Sequence, residues 1–148
     1  MKELALASMT TTDRNKNVFR RFNRDDLTYP NLLGFYGGFL KLDSALGYYE
    51  NPMAGIVRLL GEQTSLDMRP EVQITLGPYS NLIVPAEYTS DREPAKVHFF
   101  QTVLRASEAD LEKAYRETQS VLVTNSELLM RHDVVPMVRF ILEQIDES

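Results

Sequence analysis

The longest uninterrupted apolar run in this chain, Leu32 to Leu40 (LLGFYGGFL), spans nine residues and carries three glycines, Gly34, Gly37 and Gly38. A membrane-crossing helix needs about 20 apolar residues, so this run is read as a segment buried in the protein's own fold. If Leu32 to Leu46 is helical, Gly34 and Gly38 lie one turn apart, where missing side chains let another backbone approach. The alternative is a break at Gly37-Gly38, with the following FLKLDSALGYY forming a strand or a second helix. The helix is the favoured reading. The glycine pattern matches neither G-x-G-x-x-G nor G-x-x-x-x-G-K-[ST], and no strand signal precedes it, so a phosphate-cradling loop is excluded here.

Around this run the sequence divides into recognisable elements within one domain, 1–148, a length that holds a core without metal or disulfide. Thr10 to Asp13 (TTTD) form a helix-capping cluster, and RNKNVFRRFN after it is read as a short helix. Asn51 and Pro52 make a helix start, with Met53, Ile56, Val57 and Leu60 on one stripe and Arg58 and Glu62 facing away. EVQITLG alternates with period two, GPYSN is a turn, LIVPAEY is a returning strand and Lys96 to Ala106 a third. From Ser107 a long helix is favoured through SVLVTN (Ser120 to Asn125), whose β-branched residues would also suit a fourth strand. HDVVPMVRFILEQIDES is the clearest helix, capped at Asp133, with Val134, Val138, Ile141 and Ile145 on one stripe. The resulting expectation is an α+β fold: a small antiparallel β-meander of about three strands, residues 71–106, packed against N-terminal and C-terminal helices.

Chemistry-bearing residues are sparse. The chain has no cysteine, which removes thiol nucleophiles, thiolate metal sites and disulfides. Its two histidines, His98 and His132, stand at no metal-ligand spacing, and no G-x-S-x-G elbow is present. The carboxylates Asp25–Asp26, Glu108/Asp110/Glu112 and Glu143/Asp146/Glu147 flank helix starts or the chain's end, where dipole and solvation account for them. No catalytic residue, cofactor or metal is expected.

Charge is unevenly placed. Residues 1–24 hold six cations and two acids, +4, which leaves −9 for the rest of a chain with net charge −5. That asymmetry marks a basic N-terminal arm, residues 1–30, able to dock on an acidic partner or on phosphate. The candidate partner-binding residues are Arg14, Lys16, Phe19, Arg20, Arg21, Phe22 and Arg24 in the arm, with Gly34, Phe35, Gly38, Tyr48 and Tyr49 beyond it. The sequence thus points to a non-catalytic interaction protein, a subunit or adaptor of a larger homo- or hetero-oligomer such as a particle component or chaperone. The alternative is a nucleic-acid-associated regulator using the arm, with Arg and Phe on phosphate and base. Without a signal-like leader or an apolar span, the expected location is the cytoplasm or an assembled particle, with no membrane partner.

Overall fold

The computed structural model describes residues 1–11, 16–21, 33–63, 73–89, 92–105, 120–124, 127 and 130–146. Its centre is the first strand, β1 (Lys2–Thr11), which runs parallel to β8 (Ala95–Arg105) in register from Lys2↔Ala95 to Thr11↔Leu104. β8 turns back antiparallel onto β7 (Gln73–Val84). On its other edge β1 pairs antiparallel with β4 (Tyr36–Phe39) through Leu4 to Ala7, and with β2 (Lys16–Arg21) through Met9 and Thr10. β2 in turn pairs antiparallel with β3 (Leu33–Gly34) and with β9 (Ser120–Thr124). These seven strands make one mixed sheet; a separate two-stranded hairpin, β5 (Leu42–Asp43) with β6 (Tyr48–Tyr49), stands beside it.

Among the described residues, two helices cover the sheet. α1 (Pro52–Gln63) packs on β1 and β4, and α2 (Pro136–Asp146) packs towards β7 and a 3₁₀ turn at Ala86–Tyr88. Strand side chains alternate between faces, so the two layers can be separated by residue. Leu4, Leu6, Val97 and Phe99 share one apolar cluster with Phe19, Phe35, Val138 and Ile141, which is the α2 side. Gly38 pairs with Ala5, and a Cβ at Gly38 would meet Leu59 of α1 at 3.7 Å, which puts Ala5 and Gly38 on the α1 side.

The three-strand meander between flanking helices is therefore corrected to a mixed sheet with a helix on each face. β1 escaped the sequence reading because Leu4, Ala5, Leu6, Ala7 and Met9 are all buried, so the strand shows no polar alternation. RNKNVFRRFN is not a helix where it is described: Lys16–Arg21 is a strand. Gln73–Gly77 and Leu82–Val84 belong to one long strand that ends before Pro85, Ala86–Tyr88 form a 3₁₀ turn, and the presumed GPYSN turn is a register shift between Leu76 and Tyr79, where Pro78 is tolerated. Ser120–Thr124 is a strand rather than a helix, because β2 offers it a partner edge. The helix expected from Ser107 to Gln119 lies outside the described residues. The C-terminal helix is present from Pro136, with Val138 and Ile141 buried; Val134 instead bridges Leu33 of β3. Burying each such aliphatic side chain stabilises the fold by roughly 1.5–3 kcal/mol.

The favoured helix over Leu32–Leu46 is also overturned, since that segment contains β3, β4 and β5. The close backbone approach is real but sits at Gly37, not at Gly34 or Gly38. Gly37 has φ +120°, and a Cβ there would lie 2.1 Å from the carbonyl oxygen of Ala5 on β1. Only glycine fits that position.

Candidate functional site on the first helix

Asn51 and Pro52 set the start of α1 as their residue types dictate. The Asn51 Oδ1 accepts the backbone N–H of Met53 at 2.9 Å and that of Ala54 at 3.3 Å, a side-chain cap on the first turn. Ile56, Leu59 and Leu60 turn inward with Gly55, while Met53 and Val57 are exposed, so the buried stripe is rotated from the one predicted. Gly55 faces Leu40, whose Cδ2 would lie 2.3 Å from an added Cβ, so helix and β4–β5 link are held close together.

The outer side of α1 carries a charged triad. Arg58 donates from Nη2 to Glu50 Oε1 at 2.5 Å and from Nε to Glu50 Oε2 at 3.4 Å. One helical turn on, its Nη1 donates to both oxygens of Glu62 at 3.3 and 3.4 Å. Glu50 Oε1 also accepts the backbone N–H of Lys41 at 2.9 Å, and Glu50 N–H donates to Lys41 O at 2.8 Å, which ties the base of the β5–β6 hairpin to the triad. The Arg58 hydrogen bonds hold the Glu50 carboxyl below its ordinary value against the opposing pull of burial, with the Lys41 N–H assisting. The same bonds to Glu50, and then to Glu62, push the Arg58 guanidinium above its own.

Beneath α1 the sheet itself is partly polar. His98 is buried and its Nε2 lies 2.7 Å from Glu3 Oε1, a hydrogen bond between β8 and β1. Thr102, also buried, donates to Ser8 O at 2.7 Å. Beside the triad, six of the nine exposed large hydrophobic side chains among the described residues fall within residues 39–57: Phe39, Leu42, Leu46, Tyr48, Met53 and Val57.

The residues singled out in the sequence are scattered by the fold. Phe19 and Phe35 are buried and touch each other, with ring centroids 5.6 Å apart, and Phe35 also meets Phe99 at 5.0 Å. Lys16, Arg20 and Arg21 lie on β2, which is hydrogen-bonded along both edges; Arg14, Phe22 and Arg24 lie outside the described residues. Gly34 pairs with Arg20, and Gly38 with Ala5. Tyr48 is 74% exposed on the hairpin, and the Tyr49 hydroxyl donates to Met1 O at 3.4 Å. Sequence reasoning passed over Glu50. The signal that finds it is spacing: an acid just before a helix cap, eight residues and about two turns ahead of Arg58, which is itself four residues from Glu62.

No family model matches the sequence, and no curated protein matches it either. The fold, however, matches solved structures along nearly its whole length. A MutT protein from Methanosarcina mazei Go1 superposes with a TM-score of 0.68 at 14% identity, over 99% of this chain and 93% of that one. The Nudix domain of Shewanella oneidensis NrtR, solved with ADP ribose, gives 0.59 at 13% identity, over 98% and 86%. The chain has the Nudix fold. A bifunctional NMN adenylyltransferase/ADP ribose pyrophosphatase from Francisella tularensis also carries it, at TM-score 0.51 and 15% identity, over 96% of this chain and 40% of that larger one. The expected non-catalytic subunit or adaptor, and the arm-borne nucleic-acid regulator, are corrected by this likeness to a MutT protein, a Nudix domain and an ADP ribose pyrophosphatase. Those readings rested on an absence of local motifs and on a basic arm able to dock on a partner or on phosphate, and residues 16–21 of that arm are an interior strand of the Nudix-fold sheet. No described helix is long and apolar enough to cross a membrane.

Proposed function

We propose that this chain is a hydrolase of a nucleoside-diphosphate-linked small molecule, bound against α1 and the β5–β6 hairpin. The observation that carries the reading is the Nudix fold, shared over 98% of this chain with a domain solved around ADP ribose. In the reaction, water adds to one phosphorus of the diphosphate, the bridging P–O bond breaks, and two phosphomonoesters leave. From ADP ribose these are AMP and ribose 5-phosphate. The chain's own contribution at this face is electrostatic. Arg58 is fixed on α1 between Glu50 and Glu62, so a diphosphate reaches its guanidinium by displacing the exposed Glu62, and exposed Tyr48 offers a ring to a base. A cytoplasmic location, where nucleotides are made and consumed, suits such a substrate.

Hydrolases of phosphate anhydrides commonly use a divalent cation to neutralise charge on the phosphate oxygens. Among the described residues no three His, Cys, Asp or Glu side chains gather to hold one, and Glu50 and Glu62 are both engaged by Arg58. The described residues do not fit a protein-held ion. The test of the function is a panel of ADP ribose, dinucleoside polyphosphates and nucleoside triphosphates, incubated with Mg²⁺ or Mn²⁺ and followed by chromatography. AMP release from ADP ribose, reduced by Arg58→Ala, is expected. Absence of both turnover and binding across the panel overturns the reading.

A further inference from the structure

We draw no further inference here: the strongest candidate, the apolar surface patch that Phe39 at the end of β4 and Leu42, Leu46 and Tyr48 on the β5–β6 hairpin expose, carries nothing because nothing in the structure shows what covers it.

Discussion

The two faces of the sheet are built from different materials. On the α2 side, Leu4, Leu6, Phe19, Phe35, Val97 and Phe99 meet Val138 and Ile141 in an apolar layer. On the α1 side, β1 presents Ala5, Ala7 and Met9, β4 presents Tyr36 and Gly38, and β8 presents Phe100 with buried His98 and Thr102, the last two tied by hydrogen bonds to β1. Small residues bring α1 close, and polar ones fix strand against strand. Apolar packing is tolerant of shape, whereas a seam of small residues is not. The α2 face therefore acts chiefly as ballast, and the α1 face as a mount that holds Arg58, Glu50 and Glu62 at a set depth. That difference predicts where small changes will matter most.

The largest effect is expected on the mount. Gly37→Val puts a branched Cβ where Ala5 O already stands, at a φ of +120° that such a residue avoids. The expected cost is about 3 kcal/mol or more, read as loss of the folding transition in a urea melt. Gly38→Ala, next in the same strand, meets only Leu59 at ordinary contact distance and is expected to cost within about 1 kcal/mol. Equal costs for the pair would break the assignment of the tight contact to Gly37. Next comes the ballast. Ile141→Ala, at a fully buried position of α2, is expected to cost about 2–5 kcal/mol in the same melt. Because it changes the far face, it should leave the affinity of folded protein for ADP ribose unchanged at low temperature. A matching loss of affinity would show that the two faces are not independent.

The same contrast explains what could be read from the sequence. α2 was legible because a helix on an apolar layer repeats its hydrophobic side every three to four residues, as Val138, Ile141 and Ile145 do. The start of α1 was legible from Asn51-Pro52, whose chemistry is local. β1 was not, because both its faces are covered and its partner β8 lies more than ninety residues away in sequence. The helix favoured over Leu32–Leu46 failed because tertiary pairing with β1 overrode an apolar pattern that either structure could carry. The charged triad was half visible. Arg58 and Glu62 are helical neighbours, but Glu50 joins them only once the hairpin returns the chain to the helix through Lys41. The fold's likeness to Nudix proteins left no matching family pattern in the sequence, at identities of 13–15%.

A smaller effect separates the two glutamates of the triad by pH. Glu50 keeps 21% of its side chain exposed and makes the shorter bond to Arg58, so Glu50→Gln is expected to cost about 1 kcal/mol at neutral pH. Its carboxyl sits below the ordinary value in the folded protein, so its contribution is complete above the unfolded value. The contribution is then lost as pH falls through the lowered folded value. Melts of wild type and Glu50→Gln should accordingly differ at neutral pH and converge in acid. A gap that persists at acid pH would mean that the glutamine disturbs packing and not charge.

Glu62→Gln marks the bottom of the scale for stability and the sharpest test of what the mount carries. Its pair with Arg58 is exposed, i to i+4, with contacts of 3.3 and 3.4 Å, the class worth about 0.3–0.5 kcal/mol. The melt should shift by no more than that, and the shift should shrink in high salt, where exposed pairs are screened. Arg58 stays anchored through Glu50 in this variant, so the guanidinium keeps its place on α1. Any larger change in ADP ribose affinity than in stability then belongs to the carboxylate itself. If stability falls by several times the expected amount, Glu62 is a structural brace, and the comparison between a mount on one face and ballast on the other has to be redrawn around it.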